Sequence, residues 1–191
     1  MNNPNVPSLS TTRLKLRSFT LADIPTLFDI LQQPGIMDYF PNPTTPDLPR
    51  VERIVNNTLA HWQEHGYGWW ALEPLADPHL AGWCGLTYLP ESGETEVAYL
   101  IRQELWGQGL VPEAAHLSLD FGFETIGLQR IICLTHPGNL RSQRVALKIG
   151  MRYVDTQEYF GMQCMRFEAL TDDKDLTVPG QQPAGTGLRD L

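Results

Sequence analysis

The chain has 191 residues, 42% of them hydrophobic, enough for one domain with a substantial core. Fourteen Lys and Arg stand against 22 Asp and Glu, a formal net charge of −8, which sets aside general nucleic-acid binding, where phosphate neutralisation needs a basic face. No N-terminal apolar run reads as a signal peptide and no stretch of ~18 apolar residues reads as a membrane span, so the expectation is a cytoplasmic protein with no membrane or nucleic-acid partner.

Residues 1–10 are polar, contain two prolines and read as a loose leader. Leu14 and Leu16, with Phe19 close behind, mark a first strand. Thr20 caps a helix expected to run to about Gln33, with Pro25 in its early turns and Pro34-Gly35 as its stop. Val51, Ile54, Val55, Leu59 and Trp62 repeat at helical spacing and define a second helix ending near Gly66. Residues 67–73 and 80–89 read as strands joined through Pro74 and Pro78. Trp69 and Trp70, adjacent on the first of these, must face opposite sides of a sheet, one in the core and the other free to line a pocket. A fourth strand spans 94–102, with Val97, Tyr99 and Ile101 on one face and Glu96, Ala98 and Leu100 on the other.

Next comes Trp106-Gly107-Gln108-Gly109-Leu110-Val111-Pro112-Glu113, then the dense apolar run Ala114, Ala115, Leu117, Leu119 and Phe121. A strand, a glycine turn and a helix start present unpaired amides and the positive end of a helix dipole, which suits phosphate oxygens. Pro112 fits because the first helical turn has N–H groups to spare. A Walker loop would need Lys and Ser or Thr after its last glycine, where Leu110 and Val111 stand. A dinucleotide fingerprint would need three glycines near the first strand of its unit. Residues 129–136 form a fifth strand, followed by Pro137-Gly138-Asn139-Leu140-Arg141-Ser142 and a helix through Ile149 that Gly150 closes. Residues 152–159 and 162–170 form a hairpin around Gly161. Residues 171–191, rich in Gly, Pro and charge, read as a mobile tail. Cys84, Cys133 and Cys164 form no CxxC pair and read as small buried hydrophobes in a reducing compartment, with no metal site.

The order and spacing of these motifs resemble the GNAT superfamily of acetyl-CoA-dependent N-acetyltransferases, in its RimJ/RimL-like branch. The superfamily loop Gln/Arg-x-x-Gly-x-Gly/Ala falls on Trp106 to Val111. Trp106, Gly107, Gly109, Glu113 and Ala114 match the branch, and Leu110 and Val111 depart from it. His136, Pro137, Asn139, Ser142 and Gly150 match its later pattern, and Met151 replaces the usual aromatic. Thr12 to Phe19 resembles the first strand, and Asp23 matches as well. The resemblance covers residues 11–170. It implies an α/β (α+β) domain with a mixed, mostly antiparallel sheet of about seven strands, splayed between strands 4 and 5 and flanked by helices.

The resemblance also assigns roles. The pantetheine arm of acetyl-CoA would lie between strands 4 and 5, lined by Tyr99, Leu100 and Ile101, with a backbone N–H of Tyr99 or Leu100 facing the developing oxyanion. Such a donor contributes on the order of 3 kcal/mol to the barrier. Trp106, Gly107, Gln108, Gly109, Leu110 and Val111 would hold the pyrophosphate, and Asn139 would contact the cofactor. Many relatives protonate the leaving thiolate with a Tyr where this chain has Ala146, which leaves Ser142 as donor, with Tyr153 and Tyr159 in reserve. The amine must lose a proton, for which Glu96 and Glu158 are the candidate bases. His136 reads as a structural histidine. The acceptor is a protein N-terminal α-amine or a small amine such as a metabolite or antibiotic, and acidity favours its approach. A non-catalytic acyl-CoA-binding module is the alternative, a purely structural partner protein a third reading, and a homodimer stays open.

Overall fold

A computed structural model describes residues 6–172. The sheet contains β1 (Leu9–Ser10), β2 (Leu14–Arg17), β3 (Trp69–Pro74), β4 (Gly82–Leu89), β5 (Glu94–Ile101), β6 (Arg130–Thr135), β7 (Arg152–Tyr159) and β8 (Met162–Leu170). Their order is β1-β2-β3-β4-β5-β6-β8-β7, eight strands rather than about seven because Leu9–Ser10 adds a short edge. That edge is held by sequence-distant contacts, including the Trp70 indole N–H donating to Pro7 O at 2.8 Å. Every neighbouring pair is antiparallel except β5 and β6, which run parallel and are bridged at Glu96 and Ile132. The expected strands 4 and 5 are thus β5 and β6. The tail expected over 171–191 lies, beyond Asp172, outside the described residues.

Among the described residues four α-helices flank the sheet: α1 (Ile24–Leu31), α2 (Leu48–His65), α3 (Leu110–Asp120) and α4 (Leu140–Lys148). The helix expected from Thr20 begins instead as a single tight turn, Leu21–Asp23, before α1. Thr20 and Asp23 form a reciprocal capping box there, which fixes the entry to the helix. Asp23 also accepts two bonds from Arg17, at 2.9 and 2.8 Å, and Arg17 reaches Glu73 at 2.7 Å. Burial pushes the Asp23 carboxyl up, but its bonds from Arg17 and Thr20 outweigh this and hold it below the usual range. In α2, Asp47 accepts from Arg50 N–H at 2.9 Å, and Gly66 closes the helix at φ 74°.

Two apolar layers result. On one face α3 and α4 pack Ala114, Ala115, Leu119 and Ala146 against Leu16, Trp70, Leu72, Leu86 and Ile101. On the other, α1 and α2 bring Leu27, Ile30, Val51 and Val55 to Ala71, Trp83 and Leu100. The second layer draws no residue from β6, β7 or β8. There the sheet carries charges instead: Glu94 accepts from Arg130 at 2.8 Å, Arg166 at 3.0 Å and the Tyr159 hydroxyl at 2.8 Å. Arg166 turns its remaining donors to Asp155.

Candidate active site

The site is built on a parting of strands. After the Glu96–Ile132 bridge no further register joins β5 to β6, so their C-terminal ends leave a gap. Antiparallel alternation fixes which amides face it. Leu100 is paired with Trp83, and Arg102 N–H donates to Ala81 O at 2.8 Å, so even-numbered amides of β5 turn to β4. The N–H groups of Tyr99 and Ile101 therefore point toward the gap. Of the two expected donors, Tyr99 has the right orientation, whereas Leu100 gives its backbone to β4 and its side chain to the α1/α2 core.

At the end of the gap the glycine turn has the expected form. Gly107 and Gly109 have φ of 75° and 77°, which side-chain-bearing residues rarely adopt. The Trp106 indole N–H donates to Ile101 O at 2.8 Å, tying the turn to β5. Gln108 donates to Glu104 O at 2.9 Å, and Arg13 donates to Gln108 O at 2.9 Å and to Glu113 at 2.8 Å. Leu110 and Val111 start α3. Positive charge gathers around the turn: the Arg13 and Lys148 side chains both end close to Gly109, and the Arg141 guanidinium lies 4.4 Å from the Trp106 ring centre. An acidic protein thus carries local cations where pyrophosphate oxygens would rest.

Ser142 lies in the first turn of α4, whose cap is Asn139: the Asn139 side chain accepts from Ser142 N–H at 3.1 Å. Asn139 is therefore committed to the helix start. The Ser142 hydroxyl lies 3.0 Å from the Tyr99 hydroxyl, which also donates to Ser142 O at 3.1 Å and sits 3.5 Å from Cys133 Sγ. Burial pushes the Tyr99 phenol well above its ordinary value and the Cys133 thiol up to about 12, so both keep their protons near neutrality. Ala146 is fully buried in the core. Sequence reasoning missed Thr135, the last residue of β6, which is 2% exposed and whose hydroxyl has no partner among the described residues. Counted from the Glu96–Ile132 bridge, Thr135 and Tyr99 stand level across the gap and share a face. The signal in sequence was a lone hydroxyl ending an apolar strand.

The two candidate bases differ. Glu96 sits on the opposite face from Tyr99, at the point where the strands part, and accepts from Leu134 N–H at 3.3 Å. Burial pushes its carboxyl up to about 8. Glu158 is exposed and pairs with Gln163, out of phase with Cys164 and Arg166, so the structure does not bring it to Glu96. It lines a shallow cavity of about 260 Å³ with Leu89, Glu91, Ser92, Gln157, Tyr159 and Phe160. The reserve donors are engaged elsewhere, Tyr159 with Glu94 and the half-exposed Tyr153 with Thr156. His136 accepts from Gly138 N–H at 3.0 Å, a local turn contact. All three cysteines are buried and free.

A parallel strand pair that opens at its C-terminal ends is followed here by a glycine-led helix start with cations around the turn, an arrangement able to accept an anionic group. The model of the Acetyltransferase (GNAT) domain matches residues 13–152, and the chain belongs to this family of acyltransferases. Among relatives, it is 32% identical over 151 residues to the uncharacterized protein YkkB of Bacillus subtilis, covering 78% of this chain and 87% of that one. It is 28% identical over 166 residues to the FsC-acetyl coenzyme A-N(2)-transacetylase of Aspergillus fumigatus, covering 78% and 67%. Among solved structures, the RimL ribosomal L7/L12 alpha-N-protein acetyltransferase in complex with coenzyme A shares the fold, with a TM-score of 0.75, 15% identity, and coverage of 87% and 99%.

Proposed function

We propose that the protein moves an acetyl group from acetyl-CoA to a primary amine by direct attack, with no covalent enzyme intermediate. The observation that carries this reading is the β5–β6 gap, which has Tyr99 N–H directed into it, a carboxyl on one face and hydroxyls on the other. Acetyl-CoA supplies the activated acyl group. Trp106 to Val111 and the cations Arg141 and Lys148 hold its phosphates, Arg13 braces the turn through Gln108 and Glu113, and the backbone at Tyr99 and Ile101 pairs with its arm. Tyr99 N–H stabilises charge developing on the thioester oxygen. Glu96, ionised in a fraction of molecules at neutral pH, takes the ammonium proton. The Ser142–Tyr99 hydroxyl pair supplies hydrogen bonds, and finally a proton, to the departing sulfur. Thr135 is a further hydroxyl at the level of Tyr99.

The resemblance to the RimJ/RimL-like branch favours a protein N-terminal α-amine as acceptor, and the fungal relative named for N(2) acetyl transfer keeps small amines in view. Calorimetric titration tests the cofactor half. Micromolar binding of acetyl-CoA is expected, with a loss of at least ~100-fold in Gly109→Val, whose side chain is strained at φ 77°. Thiol release upon addition of amines tests the transfer half. Binding without release for any amine would favour the acyl-CoA-binding module, which the buried Ala146 in place of a Tyr keeps as the rival.

A further inference from the structure

The glycine turn before α3 is held from outside by the chain between β1 and β2. That chain folds back on itself at Thr11, whose hydroxyl oxygen accepts from Leu14 N–H at 2.9 Å and from Arg13 N–H at 3.2 Å. Leu75 N–H, just after β3, donates to Arg13 O at 2.9 Å, so both backbone groups of Arg13 are fixed. From this anchor the guanidinium spans two partners. Its Nη1 donates to Gln108 O at 2.9 Å, and its Nε and Nη2 meet Glu113 Oε2 at 2.8 and 2.7 Å. The other carboxylate oxygen, Oε1, accepts from Arg13 N–H and from the Thr12 hydroxyl, both at 3.2 Å.

The place of Glu113 is electrostatically unfavourable for an anion site. It lies in the first turn of α3, the same helix start whose amides and dipole suit phosphate oxygens. A carboxylate there repels phosphate, so Coulomb's law alone calls for a neutral residue. What Glu113 supplies instead is geometry. Gln108 stands between Gly107 and Gly109, at φ 75° and 77°, so the turn is flanked by the most permissive backbone and its orientation depends on outside contacts. The peptide bonds are trans, and in a trans peptide C=O and N–H point in opposite directions. Holding Gln108 O on Arg13 therefore turns the Gly109 N–H away from Arg13. No backbone carbonyl among the described residues takes the N–H of Gln108 or Gly109, which leaves both for a ligand.

Resting on the acetyl-transfer reading, we propose that Glu113 is a positioning residue for the diphosphate of acetyl-CoA, acting through Arg13 to hold the Gln108–Gly109 peptide with its N–H toward the phosphates. The turn between β1 and β2 is then a support of the cofactor site and not only the edge of the sheet. Arg13 works here as a two-ended brace rather than as a counter-charge, a task that needs the fork of a guanidinium.

The geometric and the electrostatic roles predict opposite signs. By calorimetry on the full chain, Glu113→Gln is expected to raise the Kd of acetyl-CoA about tenfold, whereas loss of a mere repelling charge would lower it. Arg13→Lys keeps the charge, but a single ammonium cannot span Glu113 and Gln108 O, so it should weaken binding as much. The double variant should be no weaker than either single one, because the pair acts as a unit. Both residues are partly exposed, so thermal midpoints should move by less than ~4 °C. If Glu113→Gln folds poorly, Arg13→Lys alone decides. As a local readout, inorganic pyrophosphate should shift the Gly109 amide resonance, seen with 15N-glycine labelling, in the wild type and not in Arg13→Lys. Tighter binding by Glu113→Gln, near-wild-type binding by Arg13→Lys, additive losses, or an unchanged pyrophosphate shift would overturn the brace while leaving acetyl transfer intact. A wild type that binds no acetyl-CoA would sink the transfer reading itself, and the brace with it.

Discussion

The two halves of the sheet solve the same problem differently. From β2 to β5 the sheet is sandwiched, with α1 and α2 on one face and α3 on the other, and its inward residues are apolar. From β6 to β8 the α1/α2 layer ends, and the exposed face is tied together by Glu94, Arg130, Arg166, Asp155 and Tyr159. The covered half is stabilised by area removed from water, which is insensitive to pH. The open half relies on charge-assisted bonds, which are directional and leave a face accessible to a polar substrate. The seam between the halves is the gap after Glu96, so the candidate base stands at the edge of the cover, buried enough to have a raised pKa and next to the uncovered face.

Breaking the covered half should have the largest effect. Trp70, fully buried, is expected to cost about 3–5 kcal/mol as Trp70→Ala, read from the denaturant midpoint, and equally at pH 5 and pH 8. At the seam, Glu96→Gln should lower kcat/KM by at least ~100-fold and remove the rise in rate through about pH 8 expected of the wild type as Glu96 ionises.

The same group has a stability signature whose sign is opposite to that of a salt-bridged acid. The folded state holds the Glu96 proton more tightly than the unfolded chain, so its contribution is fully present below pH 4.5 and is lost as pH rises to about 8. Glu96→Gln should therefore gain stability over wild type at pH 9, on the order of 5 kcal/mol, and little at pH 4. A thermal-melt comparison at the two pH values that shows no difference would remove the buried-carboxyl account.

In the open half, Arg166→Met strands the nearly buried Glu94 with fewer donors and should cost about 2 kcal/mol by denaturant titration. The smallest effect sharpens the gap itself. Thr135→Val replaces a buried unpartnered hydroxyl by an isosteric apolar group, so the thermal midpoint should hold or rise by a degree or two while turnover falls several-fold, with Thr135→Ser restoring it.

Much of the glycine turn and of the start of α4 was legible in the chain. Gly107 and Gly109 announced positive φ, Pro112 a helix start and Ser142 the first turn of α4, because these are local backbone requirements that neighbouring residues state outright. The pairing of Ser142 with Tyr99 was not legible, since it joins residues 43 apart through the packing of α4 on β5. Asn139 caps its own helix through its side-chain oxygen, a contact that local spacing could not tell from a role at the cofactor. The Trp69–Trp70 alternation placed the two rings on opposite faces, yet which indole N–H found a partner depended on Pro7, in the segment just ahead of β1.

By itself, then, the sequence determined where strands, turns and helix starts fall and that a glycine turn leading into a helix follows β5, because φ preferences and hydrophobic periodicity act over a few residues. The tertiary structure alone decided which carboxylate is buried and which is exposed. Glu96 and Glu158 are alike as strand glutamates. Only the sheet order, which sets β5 at the seam and β7 at the outer edge, removes solvent from one and leaves the other in water. Desolvation depends on what packs around a group, and that is a property of contacts between residues far apart in the chain.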